Sequence, residues 1–304
     1  MSKTVAVTGA TGFIGKHIVA DLLAQGFSVR SLTRKKRGNP EGRVIWVQGA
    51  LEDQDTLTEL VHGADYVVHC AGQVRGHNQD VFTRCNVDGS LRLMQAAKKS
   101  GTCTRFLFMS SLAAREPDLS WYARSKHDAE KQLMALDPGA ISLGIFRPTA
   151  VYGPGDKEMK PVFDWLLRGL LPRLGAEQAQ LSFLHVSDLA QAVSQWLISK
   201  PHDTLPYELC DGIPGYSWKQ LQKIGSQVRN GRVRLIGIPL PLLERIATIS
   251  TVISRLTGKE PMLTRSKIGE LTHNDWSANN ERLTAHINWL PKVSLERALR
   301  ERLF

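Results

Sequence analysis

The chain has 304 residues, of which 42% are hydrophobic, and a formal net charge of +10. That length suits one large domain or two closely joined ones, and the composition allows a sizeable buried core. No apolar run approaches the roughly 18 residues of a membrane span, no leader with a cleavage site opens the chain, and no basic stripe interleaved with aromatics points to nucleic acid.

In chain order, Thr4–Thr8 is a short apolar strand that runs into Gly9, Gly12 and Gly15. The spacing Ile14, Ile18, Val19, Leu22, Leu23 then predicts a helix, stopped at Gly26. Further strands are predicted at Phe27–Thr33, Val44–Val47, Tyr66–Cys70, Arg105–Met109 and Ile141–Arg147, with helices near Asp55–His62, Val81–Lys99 and Trp121–Leu136. This alternation predicts an α/β fold, a Rossmann-type doubly wound parallel sheet whose strand C-terminal ends gather at one ligand-binding edge. Beyond Arg147, prolines and glycines punctuate the chain. A helix is expected over Val162–Gly169, a strand over Leu181–Val186, a helix capped by Ser187 to Ile198, and a last strand over Leu205–Cys210. Residues 1–155 are thus read as the dinucleotide-binding core, joined by 181–211 returning to the sheet. Residues 156–180 and 212–304 are read as a smaller substrate-binding lobe. An amphipathic stretch, Pro239–Gly258, clusters Leu242, Leu243, Ile246, Ile249, Val252, Ile253 and Leu256. Packing within the lobe is its preferred reading, since a membrane-interface role asks for a stronger basic face.

Three constellations carry chemistry. Gly9, Gly12 and Gly15 follow a strand and open a helix, the context in which such a trio holds a pyrophosphate at a helix N-terminus. Gly9 suits a tight turn, Gly12 the close approach of a phosphate, and Gly15 close packing of helix on strand. Tyr122 and Lys126 fall one helical turn apart on one face. A phenol titrates near ~10, and lowering that by about three units requires ~4 kcal/mol from a neighbouring cation; the competing reading is a surface aromatic–cation pair. Ser110 and Ser111 stand at the end of a strand, where one hydroxyl, but not both, can face a substrate carbonyl. Cys70, Cys85, Cys103 and Cys210 show no C-x-x-C spacing. They are read as free thiols in a reducing, cytoplasmic compartment, and no metal site is expected.

Taken in order, the segments Thr8–Gly15, His69–Gly72, Asn86–Gly89, Ser110-Ser111, Tyr122/Lys126, Arg147–Gly155, Phe183–Ala190 and Leu283…Leu295 resemble the extended short-chain dehydrogenases/reductases, the NAD-dependent epimerase/dehydratase family. The resemblance implies that Tyr122 is the general acid/base, that Lys126 holds the nicotinamide ribose and tunes Tyr122, and that Ser111 orients the reacting carbonyl or hydroxyl. It places cofactor contacts at Gly9, Thr11, Gly12, Phe13, Ile14, Gly15, Cys70, Ala71, Gly72, Asn86, Tyr122, Lys126, Pro148 and Val151. In many relatives the Val81–Lys99 and Trp121–Leu136 helices also form a homodimer contact.

The end of the second strand, Arg30-Ser31-Leu32-Thr33-Arg34-Lys35, lacks the carboxylate that bonds ribose hydroxyls in NAD-selective proteins. NADP(H) is therefore the preferred cofactor, with Arg34 as its 2′-phosphate contact and NAD(H) as the alternative. Leu112 and Ala113 replace the acidic pair of sugar-nucleotide dehydratases, Leu181 replaces a diphosphate-gripping arginine, and Ala50 replaces an adenine-binding aspartate that Glu52 would have to make good. These departures favour an oxidoreductase transferring hydride between nicotinamide and an alcohol/carbonyl small molecule. The alternatives are a sugar-nucleotide epimerase with tightly held cofactor and a non-catalytic dinucleotide-binding regulator.

Overall fold

The computed structural model describes residues 2–37, 43–200, 205–257 and 264–304. β1 (Thr4–Thr8), nearly all buried, leads into α1 (Phe13–Ala24). β2 (Ser28–Thr33), β3 (Val44–Gln48), α2 (Gln54–Val61) and β4 (Tyr66–His69) follow. A short α3 (Gln79–Phe82) and α4 (Gly89–Ser100) precede β5 (Arg105–Met109), α5 (Trp121–Ala135) and β6 (Ser142–Pro148). These strands form one parallel sheet in the order β3-β2-β1-β4-β5-β6, with a seventh strand, Tyr207–Leu209, beyond β6. The direction of winding reverses between β1 and β4, which opens the crevice where such sheets take their ligands.

The second half supplies β7 (Ala150–Tyr152), α6 (Lys160–Arg168), β8 (Leu170–Arg173), β9 (Gln180–Leu181), β10 (Phe183–His185) and α7 (Val186–Ile198). β11 is the seventh strand, and β12 (Tyr216–Ser217), α8 (Trp218–Val228) and β13 (Arg234–Gly237) come after it. α9 (Leu240–Thr257), α10 (Arg265–Thr272), α11 (Glu281–Ile287) and α12 (Leu295–Glu301) end the chain. β10 pairs with β7, β12 with β9 and β13 with β8, each as a small separate ribbon.

Apolar side chains cover both faces of the main sheet. On one, Ile18 and Leu22 of α1 pack with Leu189, Val193 and Trp196 of α7. On the other, Leu57 and Leu60 of α2, Leu93 of α4 and Leu133 of α5 share a second core. A third cluster unites Phe163, Leu166, Trp218, Leu221, Leu295 and Leu299 from α6, α8 and α12. Two buried carboxylates fasten the tail to these layers. Asp188 accepts the backbone N–H groups of Lys292 and Val293 at 3.0 and 2.9 Å, and Asp211 accepts that of Leu295 at 2.9 Å.

The structure corrects several expectations. The helix foreseen over Val81–Lys99 forms, running from Gln79 to Ser100, but it contains a π-helical turn, Thr83–Asp88, between α3 and α4. There Asn86 turns inward to bond neighbouring segments, and π turns of this kind recur at functional sites. Leu181–Val186 is two strands, because Leu181 pairs antiparallel with Tyr216 while Phe183–His185 runs parallel to β7. His185, not Ser187, caps α7: its ring Nδ1 accepts from the Ser187 N–H at 3.3 Å. In α9, Leu243 and Ala247 pack on Ile268 of α10, but Leu242, Ile246 and Ile249 face outward. Among the described side chains of Leu240–Ser250, lobe packing therefore accounts for one narrow stripe. The side chains of Val252, Ile253 and Leu256, and Gly258 itself, lie outside the described residues.

Candidate active site

The loop between β1 and α1 excludes a side chain at Gly9 and at Gly15. Gly9 has φ +71°, and a Cβ there would stand 2.6 Å from Ala71 N. Gly12 starts α1 without any side-chain cap, and no acidic residue occupies the first turn. The first N–H groups of this 12-residue helix and its positive dipole end thus stay available to an anion. Gly15 differs from expectation in its contact. A Cβ there would come within 2.1 Å of Gly9 O, so it fits the helix against the loop rather than the strand. Thr11 is exposed, and Phe13 and Ile14 are half-buried on the helix that leaves this loop.

A buried hydrogen-bond chain holds the loop to the next strand. The Ala71 N–H donates to Thr8 Oγ1 at 3.2 Å, and Thr8 Oγ1 lies 2.6 Å from His69 Nδ1. His69 Nε2 lies 2.9 Å from Ser90 Oγ, whose hydroxyl donates to Asn86 O at 2.6 Å. Counting donors fixes the tautomer: Ser90 has given its only proton to Asn86, so His69 carries its proton on Nε2 and accepts from Thr8 on Nδ1. Burial pushes the His69 ring down to about 3, with the Lys126 charge adding to the effect, which keeps the ring neutral. Cys70, half-buried beside it, is pushed up to about 12 by burial and is no thiolate.

Asn86 continues the network toward α5. Its amide donates to Gln73 O at 3.0 Å and Ser125 Oγ at 2.8 Å, and its Oδ1 accepts from Gln73 N at 2.6 Å. Ser125 lies between Tyr122 and Lys126. Lys126, 4% exposed, donates from Nζ to Met109 O at 2.8 Å and stands 4.8 Å from the Phe108 ring centroid. At Gly72 a Cβ would meet Lys126 Nζ at 3.2 Å and Asn86 Oδ1 at 3.3 Å, so a side chain there would close the approach to the ammonium. Burial pulls Lys126 down to about 8.

Ser110 and Ser111 diverge at the end of β5. Ser110 Oγ donates to Glu130 Oε1, whose carboxylate also pairs with Arg147, Nε to Oε1 being 2.9 Å. Ser111 accepts the Ala113 N–H at 3.2 Å, and its hydroxyl lies close enough to the Tyr122 phenol to pull that pKa down. Tyr122 does not show the lowered pKa expected from Lys126. Burial pushes it up to about 12, against the pull of Ser111 and with the Glu270 carboxylate adding to the rise. Lys126 is directed to Met109 O, and its own charge is weakened by burial.

Sequence patterns did not reveal the part that α10 has in this site. Glu270, 8% exposed, accepts the Ser120 hydroxyl, and Ser266 Oγ accepts the Trp121 N–H at 3.0 Å. Lys267 Nζ stands 5.5 Å from the Tyr122 ring centroid. Such contacts join residues some 150 positions apart, with no motif to announce them. Gly269 was the one available signal: a Cβ there would meet Leu119 O at 2.5 Å, so only glycine lets α10 settle against the start of α5.

Pro148 and Val151, also expected at the site, lie where β6 gives way to β7. Pro148 ends β6, and Val151 pairs with Leu184 in the β7–β10 ribbon. Between them the Thr149 hydroxyl is buried with no partner among the described residues. Arg34 is exposed just past β2, and its charge reaches Cys85. Glu52 is exposed nearby and also acts on Cys85, while Asp53 is engaged in capping α2 through Thr56 and Asp55. Leu112 is buried with Cys210 and Ala278 beside Trp276, and Leu181 packs on the third core. A surface cavity of about 530 Å³, lined by Tyr66, Thr104 and Ile198, opens at the opposite edge of the sheet, away from Tyr122.

The bare loop, the uncapped helix end, the cleft at Gly72 and the orphaned Thr149 hydroxyl fit a nicotinamide dinucleotide lying along the strand ends. Residues 5–206 match the family model for the NAD dependent epimerase/dehydratase family, and the chain belongs to that family of extended short-chain dehydrogenases/reductases. It is an NAD-dependent enzyme of the oxidoreductase/epimerase kind. It is 34% identical to "Ceramide reductase" of Caulobacter vibrioides over 91% of this chain and 86% of that protein. It is 24% identical to the decarboxylating sterol-4-alpha-carboxylate 3-dehydrogenase of Dictyostelium discoideum, over 98% and 99% of the two chains. Among solved structures, MoeE5 in complex with UDP-glucuronic acid and NAD superposes with a TM-score of 0.73 over 98% of this chain and 96% of that one, at 21% identity. That likeness is one of fold.

Proposed function

We propose that this enzyme is an NADPH-dependent reductase of a long-chain lipid ketone, a substrate of the ceramide kind. The reading is carried by the placement of Tyr122 on α5, one turn from Lys126 and beside Ser111 at the end of β5, its phenol pushed up by burial with the Glu270 charge adding to the rise. A phenol that keeps its proton at neutral pH is the acid a carbonyl reduction needs. When bound, the nicotinamide supplies the hydride. Ser111 holds the substrate carbonyl by a hydrogen bond, and Tyr122 gives its proton to that oxygen as negative charge develops there. Lys126 holds the cofactor ribose, its Nζ bordering the cleft at Gly72. Gly9, Gly12, Gly15, Gly72, Asn86, Pro148 and Val151 shape the cofactor cleft, together with Thr11, Phe13, Ile14, Cys70 and Ala71.

Arg34, exposed and without a carboxylate neighbour on β2, is the proposed contact for the 2′-phosphate. Residues 1–155 and 181–211 are proposed to bind the cofactor, and 156–180 with 212–304 the substrate. Leu112 and Ala113 in place of an acidic pair, and Leu181 in place of an arginine, support a less polar substrate than a sugar nucleotide, as does the name of the Caulobacter relative. Four free cysteines support a reducing, cytoplasmic setting. The test is ketone-dependent oxidation of NADPH by the purified protein. An epimerase would instead retain its cofactor and return a stereoisomer without net oxidation.

A further inference from the structure

Among the described residues, four exposed large apolar side chains, Leu240, Leu242, Ile246 and Ile249, fall on one helix, α9. In α9, Leu242, Ile246 and Ile249 follow one another at one-turn spacing and are 46%, 45% and 59% exposed. That spacing puts them on a single face. Leu243 and Ala247, about a quarter-turn away, are the residues buried against Ile268. The helix is therefore held by one apolar stripe and presents a second one outward. β13, which leads into it, adds Ile236 at 46% exposure. A row of this kind marks a contact surface, whereas single exposed leucines do not.

The charge beside the row identifies what it meets. Between residues 229 and 249 the chain carries Arg229, Arg232, Arg234 and Arg245 against Glu244 alone. All four arginines are exposed, and none forms an ion pair among the described residues. Arg229 donates to Leu167 O and Arg232 O, and Arg232, Arg234 and Arg245 beside the apolar row match the boundary between acyl chains and anionic headgroups. No helix among the described residues is long and apolar enough to cross a membrane, so the contact lies on the surface.

We propose that α9, with the end of β13, docks the enzyme on an anionic lipid bilayer. The Leu242–Ile246–Ile249 row enters the headgroup–acyl boundary and the arginines meet lipid phosphates. The surface is one helix from the reacting tyrosine: α9 packs on Ile268 of α10, and the preceding residue, Lys267, lies over the Tyr122 ring. Docking would thus set the substrate mouth against the bilayer from which a lipid ketone comes. The purpose of docking rests on the lipid-ketone reading; the binding itself does not.

The test is vesicle flotation of the whole protein with phosphatidylcholine vesicles, with and without phosphatidylglycerol. Binding should be at least about tenfold tighter to the anionic vesicles and should weaken in high salt. The triple variant Leu242→Glu/Ile246→Glu/Ile249→Glu should lose it while keeping wild-type turnover of a short, water-soluble ketone. Arg234→Ser/Arg245→Ser should lose the preference for anionic vesicles. Wild-type protein that floats with neither vesicle overturns the proposal, and so does a triple variant that still floats. Light scattering that shows a wild-type dimer, a monomeric triple variant and no flotation would assign the face to a second copy of this chain and also overturn it. Flotation without any ketone turnover would leave docking standing and remove the reductase reading.

Discussion

Lys267 Nζ stands 5.5 Å from the centroid of the Tyr122 ring and 2.5 Å from Glu270 Oε2, so a cation and a carboxylate from α10 bear together on the tyrosine. The Glu270 charge raises the Tyr122 pKa. Replacing Glu270 with Gln removes that charge and leaves Lys267 unneutralised, and both changes favour the phenolate. Because reduction uses the protonated phenol, the alkaline limb of the kcat/KM profile should move to lower pH in Glu270→Gln. Profiles for wild type and variant that coincide would separate α10 from the chemistry.

Tyr122→Phe keeps the ring and removes the proton. Ketone reduction should fall by about 10²–10⁴-fold, with the affinity for NADPH, read by fluorescence titration, unchanged. Lys126→Met should lower both turnover and cofactor affinity, because its Nζ borders the Gly72 cleft as well as the tyrosine helix.

Arg34→Asp should reverse cofactor choice. A charge-assisted contact to phosphate contributes about 1.5–3 kcal/mol, which is roughly ten- to a hundredfold in binding. The ratio of kcat/KM for NADPH over NADH should fall by that factor or more. Equal use of both cofactors by the native enzyme would remove Arg34 from this role.

The Gly15→Ala methyl would fall 2.1 Å from Gly9 O, where only backbone can give way. Such overpacking costs about 1–3 kcal/mol. A lower Tm and at least about tenfold weaker dinucleotide binding should appear together, and calorimetry reads both.

His69 gives a prediction about stability and pH. Its folded pKa of about 3 lies below the ordinary 6.5, so the unfolded chain takes up the proton first as pH falls. The stability due to the neutral ring is complete above pH ~6.5 and is lost below it, by about 2 kcal/mol on reaching pH ~5. His69→Gln should be less stable than wild type at neutral pH and should lose less on acidification. The difference between the two unfolding curves isolates this group from the other carboxylates and histidines.

Much of this was legible in the sequence, for physical reasons that differ by element. β1, β5 and α1 could be read because their burial and period are local properties, and the strand–helix alternation fixed the sheet direction. The π turn at Asn86 could not be read, since a helix with one inserted residue keeps nearly the same apolar spacing on either side. The cap of α7 shifted from Ser187 to His185 because an imidazole nitrogen can accept an N–H as a hydroxyl does. Ser111 is preferred to Ser110 from its place before Leu112, and Glu130 with Arg147, a helix and a strand away, engages Ser110 instead. Glu270 and Lys267 reach Tyr122 across some 150 residues, a relation that no local pattern records. The outward row on α9 has the same composition as a core-facing stripe, and only the position of Ile268 tells the two apart.

The most direct test of the central claim is the stoichiometry of NADPH oxidised to alcohol formed, with a long-chain lipid ketone and wild-type or Tyr122→Phe enzyme. One NADPH should disappear for each alcohol produced, and the Tyr122→Phe enzyme should bind NADPH yet leave both unchanged over the same interval. A retained, unconsumed cofactor with substrate returned as a stereoisomer, or wild-type rates in the Phe variant, would contradict it.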